Sequence, residues 1–197
     1  IHSSNLCTEI TLNTGADETA VCNLGTVVLD SHLKKDGSLD HDKLRETIQI
    51  AVRALDNVID VNFYPTKETK KSNLRHRPIG IGVQGLADVF AMLGYGFDSN
   101  EARELNKEVF AAIYHGSMRA SIDAAKEEGH YETFKGSPLS EGLFQFDMWG
   151  VEPTNTWDWD QLRKLAKKHG ARNSLLLAPM PTASTAQILG NNECFEP

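Results

Sequence analysis

The pattern of hydrophobic and polar residues along the chain predicts buried strands separated by long helices. The β-branched and apolar run VCNLGTVVL, at residues 21–29, predicts a buried strand. Apolar residues then recur at helical spacing from Asp40 onward, and Pro65 should end this helix because proline cannot continue it. Near the other end of the chain, the run SLLLAPM at residues 174–180 predicts a second buried strand.

Glycines and capping residues mark the remaining elements. GLADVFAMLG predicts a short helix closed by Gly94, and Ser99 is a typical N-cap for a long helix that should end near Gly129. A further helix should stop at Gly170, and the residues after Thr185 predict a short helix. The segments KETKKSNLRHRP and HYETFKGSPLSEG, at residues 67–78 and 130–142, predict a polar linker and a loop.

Strands that alternate with long helices predict the α/β fold class, with parallel strands and helices packed outside them. Two or three strands cannot close a barrel or complete a sheet. The chain also begins with Ile1 and ends at Pro197, directly after a well-patterned segment. We therefore expect an internal piece of a longer protein, whose other strands come from sequence outside it.

Charge and composition exclude several classes of function. The 197 residues are 40% hydrophobic and 24% charged, which is typical of a soluble globular protein. A net charge of -7 argues against a nucleic-acid-binding surface, although a local site could still hold a small anion. No apolar stretch approaches the roughly 20 residues that cross a bilayer, and no signal peptide is recognisable. We predict a cytoplasmic protein that binds neither nucleic acid nor membrane.

The cysteines and histidines predict no metal site. Cys7, Cys22 and Cys194 form no Cys-x-x-Cys pair, and the seven histidines lack metal-ligand spacing. Judged on its neighbours alone, Cys22 is a small buried hydrophobe, and Cys194 is no more than a free thiol.

Two short segments could carry chemistry. Asn5, Cys7 and Glu9 alternate, so in an extended segment an amide, a thiol and a carboxylate would face the same ligand. The segment Pro181-Thr182-Ala183-Ser184-Thr185 lies between the apolar run and the last helix. Its hydroxyls could cap that helix, or the helix start could bind a phosphate with the help of Thr182, Ser184 and Thr185. The residues alone leave these two interpretations open.

A third motif matches a dinucleotide-binding pattern only in its letters. Gly80, Gly82 and Gly85 have the spacing G-x-G-x-x-G, but the residues before them are polar and end in a proline instead of forming a strand. We expect these glycines to allow close packing of the backbone against a neighbouring segment. A nicotinamide-dependent dehydrogenase is the least favoured hypothesis.

Taken together, several segments resemble the large, catalytic subunit of class I ribonucleotide reductase, in the family's order and over nearly the whole chain. The matching stretches are SNLCTEI at 4–10, VCNLG at 21–25, RHRPIGIGVQGLAD at 75–88, YETFKGSP at 131–138, FDMWGVEPT at 146–154 and APMPTASTAQILGNNE at 178–193. The resemblance implies a ten-stranded α/β barrel with a central finger loop. Residues 1–197 would be part of that barrel, with the finger loop near 4–10 and the phosphate loop near 181–185.

The resemblance also implies roles for individual residues. Cys7 falls where the family carries its thiyl-radical cysteine, which removes the 3′ hydrogen of the ribose. Glu9 would take the proton of the 3′ hydroxyl, and Asn5 would hydrogen-bond the sugar. Cys22 matches a redox cysteine, which replaces its interpretation as a buried hydrophobe. In the family, its partner lies upstream of the position of Ile1. Cys194 is a poor substitute for that partner, because the family often has serine at this position.

By the same resemblance, the substrate's phosphates would be held by Pro181, Thr182, Ala183, Ser184 and Thr185, while Gly80, Gly82 and Gly85 inherit no catalytic role. The implied substrate is a ribonucleoside diphosphate. This chain itself would bind no cofactor, since the radical comes from a metal-containing small subunit and the disulfide is reduced by thioredoxin or glutaredoxin.

The family's large subunit is a homodimer, and ATP and dNTP effectors bind to N-terminal regulatory regions that, like the C-terminal parts, are absent from this chain. We therefore expect the chain alone to be inactive. Two alternatives remain open: a class II enzyme that uses adenosylcobalamin, and a non-catalytic product of a split gene that acts only after assembly.

Overall fold

The computed structural model describes residue 5 and residues 7–197, which form seven α-helices, two paired strands and two short 3₁₀ turns. The strands are β1 (Leu24–Val28) and β2 (Gly80–Gln84). The helices are α1 (His41–Val61), α2 (Lys67–His76), α3 (Leu86–Met92), α4 (Asn100–Glu128), α5 (Gln145–Trp149), α6 (Trp159–His169) and α7 (Ser184–Leu189), and the 3₁₀ turns are Asp30–His32 and Pro138–Glu141.

The longest helices begin and end where the sequence predicts. The Asp40 carboxylate accepts a hydrogen bond from the backbone N–H of Lys43 at the start of α1. The Ser99 hydroxyl accepts one from Ala102 at the start of α4, and Gly129 ends that helix with a positive φ of 85°. In the part of the chain that the structure describes, no helix is long and apolar enough to cross a membrane.

The predicted linker at residues 67–78 is wrong, because most of it is helix α2. Thr66 and Thr69 form a reciprocal capping box at its start. The helix lacks an apolar stripe, and the side chains that it buries are Ser72 and Asn73, so hydrophobic periodicity could not reveal it. It ends at Arg77, which adopts a left-handed conformation with φ of 45°.

The strands form a small parallel sheet, as the α/β class requires. β1 and β2 pair in the register from Leu24 opposite Gly80 to Val28 opposite Gln84. Every residue of β2 is buried, but the strand could not be predicted from the sequence, because its two glycines are unusual in a strand.

The predicted strand at residues 174–180 is wrong, because the structure has only an isolated bridge in this segment. This segment pairs with the free edge of β2 through one parallel bridge, between Ile81 and Leu177. Beyond Ala178 the ladder cannot continue normally, since Pro179 has no N–H to donate.

The glycines of β2 serve close packing, which confirms the interpretation made from sequence. A Cβ atom on Gly80 would lie 2.6 Å from the Ala178 Cβ atom and from a methyl carbon of Leu24. A Cβ atom on Gly82 would lie 2.7 Å from the Ala178 carbonyl oxygen and 2.8 Å from the Met180 sulfur. Side chains at these positions would push residues 178–180 away from the sheet.

Helices α1 and α4 pack against each other and bury the largest apolar cluster, which includes Ile48, Val52 and Ile113. A group of polar side chains, Asp56, Arg77 and Asn173, is buried beside this cluster. Arg77, which is 4% exposed, donates from Nε to the Asp56 carboxylate at 3.0 Å, and Asn173 donates to the same oxygen at 2.8 Å. These bonds join α1 to Arg77, which lies shortly before β2, and to Asn173, which directly precedes residues 174–180.

Candidate functional site

A second, smaller apolar cluster brings together the segments that carry the predicted site residues. Its buried members are Ile10, Ala178 and Met180, and Leu12, Cys22 and Leu175 pack against them. Ile10 follows Glu9, Cys22 precedes β1, and Met180 directly precedes the predicted phosphate loop. Three stretches that are far apart in sequence therefore meet beside the sheet.

The segment with Asn5, Cys7 and Glu9 is a turn, so the predicted extended conformation is wrong. The Thr8 N–H donates to the Asn5 carbonyl oxygen at 3.3 Å, and Thr8 itself has a positive φ of 62°. The Ile10 N–H donates to the Asn5 side-chain oxygen at 3.4 Å. Cys7 is exposed in this turn, and residues 4 and 6 of the predicted finger loop lie outside the described residues.

Glu9 and Cys22 lie near each other. Burial raises the pKa of the half-buried Cys22 thiol, and the negative charge of Glu9 raises that pKa further. The Oε2 atom of Glu9 is buried and has no hydrogen-bond partner among the residues that the structure describes. A buried carboxylate oxygen of this kind is costly unless something donates to it, so it is a suitable acceptor for a ligand hydroxyl.

We predict that Glu9→Gln lowers the pKa of Cys22, because the substitution removes a negative charge that disfavours the thiolate. The alkylation rate of Cys22 by iodoacetamide, resolved by peptide mass spectrometry over a pH series, should reach its midpoint at a lower pH than in the parent protein. Glu46→Gln, on the exposed face of α1, is the control and should leave the midpoint unchanged. An unchanged or raised midpoint in Glu9→Gln would contradict the assigned proximity.

The predicted phosphate loop, residues 181–185, leads directly into α7. Thr182 is buried, whereas Pro181, Ala183, Ser184 and Thr185 are exposed. Ala183 occupies the N-cap position with φ of 39°, a conformation that residues other than glycine rarely adopt. The loop thus holds a strained backbone with its small side chains open to a ligand.

The geometry does not support helix capping as the role of these hydroxyls. Within the described residues, no side chain caps α7, whose N-cap residue is an alanine. The Thr185 hydroxyl donates to the Thr182 carbonyl oxygen at 2.7 Å, and the Thr182 hydroxyl accepts from the Cys194 N–H at 3.0 Å. Thr182 therefore keeps its own proton available for donation. Because α7 has only six residues, its dipole adds little to phosphate binding.

The other candidate groups have no part in this cluster. Gly80, Gly82 and Gly85 lie in or just after β2, where they allow close packing. Cys194 is buried and donates from Sγ to the Pro179 carbonyl oxygen at 3.5 Å. Among the described residues, no three His, Cys, Asp or Glu side chains are grouped so that they could hold a metal ion.

Comparison with known proteins agrees with the resemblance that the motifs carry. Residues 1–197 match the family model for the barrel domain of ribonucleotide reductase. Over its whole length the chain is 57% identical to the ribonucleoside-diphosphate reductase large chain of Neurospora crassa, of which it covers 21%. It is 53% identical to the large chain of Schizosaccharomyces pombe and 55% identical to the large subunit of Caenorhabditis elegans, of which it covers 24% and 25%. The chain thus spans a quarter or less of these relatives, and the partial sheet is a part of the barrel.

Proposed function

The chain belongs to the ribonucleotide reductase barrel-domain family, and on that premise we propose that it forms part of the active site of a class I ribonucleoside-diphosphate reductase. The reaction converts a ribonucleoside diphosphate into the deoxyribonucleotide needed for DNA synthesis. The chain's own residues would supply the initiating thiol, a base, one of two reducing thiols and the phosphate loop.

Cys7 is the proposed radical residue. As a thiyl radical it takes the hydrogen atom from C3′ of the ribose, which leaves a substrate radical and a Cys7 thiol. Glu9 accepts the proton of the 3′ hydroxyl, and this makes loss of the 2′ hydroxyl as water easy. Asn5 hydrogen-bonds the sugar and so keeps C3′ in line with the thiol. Two observations support these roles: Cys7 is exposed, and the buried Oε2 atom of Glu9 has no hydrogen-bond partner in residue 5 or residues 7–197.

Cys22 is the proposed reductant within this chain. With a second cysteine on another part of the polypeptide, it supplies two electrons and two protons, one of which leaves with the 2′ oxygen as water, and the pair ends as a disulfide. Cys7 then returns its hydrogen atom to C3′ and is again a thiyl radical. The raised pKa of Cys22 keeps it a protonated thiol at neutral pH, which suits a group that must deliver hydrogen. Thioredoxin or glutaredoxin then restores the thiols by disulfide exchange.

Residues 181–185 would hold the diphosphate through the hydroxyls of Thr182 and Ser184 and through backbone amides near Ala183. The Thr185 hydroxyl would join them on binding by turning its proton from the Thr182 carbonyl oxygen to the phosphate. Support comes from the packing of Met180 with Ile10 and Cys22 in the second apolar cluster, which fixes the start of this loop beside the reacting groups. A substrate bound by its phosphates here would extend its ribose towards that cluster.

The proposed partners follow from the family. A metal-containing small subunit supplies the radical, the large subunit forms a homodimer, and ATP and dNTP effectors bind to other regions. We place the assembled enzyme in the cytoplasm, with no metal held by this chain and no direct contact with nucleic acid or membrane.

The observation that carries the proposal is the meeting of the Glu9 turn, Cys22 and the residues before Pro181 in one apolar cluster. The test is an assay of the full-length polypeptide that contains this sequence, with cytidine 5′-diphosphate, a thiol reductant and the small subunit. Deoxycytidine diphosphate should form only when the small subunit is present. Product formed with adenosylcobalamin instead would favour class II, and no product in either case would favour a non-catalytic assembly piece.

A further inference from the structure

Two motifs that mark the family have no role in the chemistry above. One is the glycine pattern of β2 with its continuation to Asp88, and the other is GNNE at residues 190–193, which follows α7 and is followed by Cys194. The structure places these motifs against each other. Their contacts continue to the phosphate loop, residues 181–185.

Asp88, in the first turn of α3, makes the most direct of these contacts. Its Oδ2 atom accepts from the backbone N–H of Asn192 at 2.7 Å, and its Oδ1 atom accepts from the Asn192 side-chain amide at 2.9 Å. The Gly85 N–H donates to the Asn192 carbonyl oxygen at 3.0 Å. Both bonds to Asp88 are exposed to solvent, but hydrogen bonds to a charged carboxylate are stronger than neutral ones. Together with the Gly85 bond, they tie Asn192 to the start of α3.

Asn191 extends the contact to the carboxyl ends of both strands. Its side-chain oxygen accepts from Gln84 at 3.1 Å, and its side-chain amide donates to Asp30 at 3.3 Å. Gln84 is fully buried and also accepts from the Thr26 hydroxyl at 3.1 Å. Gln84 is buried and the bonds around it are partly buried, so these paired donors and acceptors fix the path of the backbone after α7.

Cys194 carries the contact into the phosphate loop. Its N–H donates to the Thr182 hydroxyl at 3.0 Å, and its thiol donates to the Pro179 carbonyl oxygen at 3.5 Å. The segment from 191 to 194 thus holds the loop on both sides of Pro181. Cys194 itself has φ of 51°, so this segment and the loop each contain a left-handed residue that is not glycine. Such conformations persist only where the surrounding structure fixes them.

We propose that residues 80–88 and 191–194 form a mount that positions the phosphate loop, with Asp88 and Asn192 as its positioning residues. The inference rests on the proposed function for the site that the loop serves. A loop already held in its binding conformation loses less entropy when the diphosphate binds, so the mount raises affinity without touching the substrate. The glycines keep β2 close enough to residues 178–180 for the two motifs to meet.

The test compares Asp88→Asn, Asn192→Asp and the double variant in the full-length polypeptide. Asp88→Asn turns one acceptor into a donor that faces Asn192, and Asn192→Asp sets two carboxylates together. Each should raise the KM and the dissociation constant for cytidine 5′-diphosphate about tenfold and leave kcat within about twofold. The double variant restores a matched amide and carboxylate pair, so its KM should return to within about threefold of the parent value.

Asp98→Asn, at an exposed carboxylate beyond α3, is the control and should change neither constant. Amide hydrogen exchange of the peptides covering 181–190 gives a readout that needs no turnover, and it should become faster in both single variants and recover in the double variant. An unchanged KM, a fall in kcat alone, or a double variant no better than the singles would overturn the mount. If the parent protein forms no deoxynucleotide, the proposed function fails, and unchanged exchange in the single variants then overturns the mount separately.

Discussion

Replacing Cys7 by serine should abolish deoxynucleotide formation while leaving substrate binding intact. A serine O–H bond is much stronger than a cysteine S–H bond, so serine cannot carry the radical that removes the 3′ hydrogen. We expect turnover of cytidine 5′-diphosphate to fall by at least about a thousandfold, as for the loss of an essential reacting group. Because Cys7 is exposed in a turn, its replacement should not disturb the fold.

The matched control is the same substitution at Cys194. A serine there keeps a donor towards the Pro179 carbonyl oxygen, so Cys194→Ser should retain most of the activity. The measurement is product formation by chromatography, together with equilibrium dialysis of the substrate. Normal turnover by Cys7→Ser would show that Cys7 is not the initiating thiol, and the central assignment would then fail.

The largest effect on stability should come from Asp56, which is the centre of the buried polar group. Its side chain is 2% exposed, and it accepts from Arg77 and Asn173. Asp56→Asn keeps the shape but removes the charge that faces the Arg77 guanidinium. We expect the free energy of unfolding to fall by about 3 kcal/mol, as for breaking other buried ion pairs. The measurement is amide hydrogen exchange in α1, which should become faster.

Asp60 provides the internal control, since it binds the same guanidinium through two hydrogen bonds of 2.8 and 2.7 Å. Its side chain is 48% exposed, so water can replace much of the interaction with Arg77 that Asp60→Asn removes. Asp60→Asn should therefore lower the free energy of unfolding by about 1 kcal/mol or less. Equal losses for the two variants would contradict the assignment of Asp56 as the buried centre.

The sequence predicted those elements whose signals are local. The Asp40 and Ser99 caps and the apolar spacing of α1 and α4 are present in the residues themselves, and the structure confirms them. Helix α2 could not be predicted in this way, because the side chains it buries, Ser72 and Asn73, are polar, and a hydrogen bond joins Asn73 to a residue far away in sequence. Asn73, for example, accepts from Asn23, which lies 50 positions earlier.

The candidate site was predicted by motif and not by geometry. Alternation suggested that Asn5, Cys7 and Glu9 point the same way in an extended segment, but the Asn5 carbonyl oxygen accepts from Thr8 and closes a turn. The roles of these residues stay predictions. Asp88 was seen only as the last residue of a family-like stretch, because its partner Asn192 lies 104 positions later and no local pattern records such a pair.

The pairing of the strands has a consequence for how the protein acquires its structure. Leu24 pairs with Gly80, and Ile81 meets Leu177 much later in the chain, so neither edge of β2 is completed by a nearby segment. Contacts between residues so distant in sequence form slowly, because the chain loses the entropy of closing a long loop before these contacts stabilise it. During synthesis on the ribosome, β1 and β2 can pair once α1 and α2 have emerged, while the other edge of β2 waits for nearly a hundred further residues. The glycine-rich strand is therefore the surface most in need of protection from aggregation in the nascent chain.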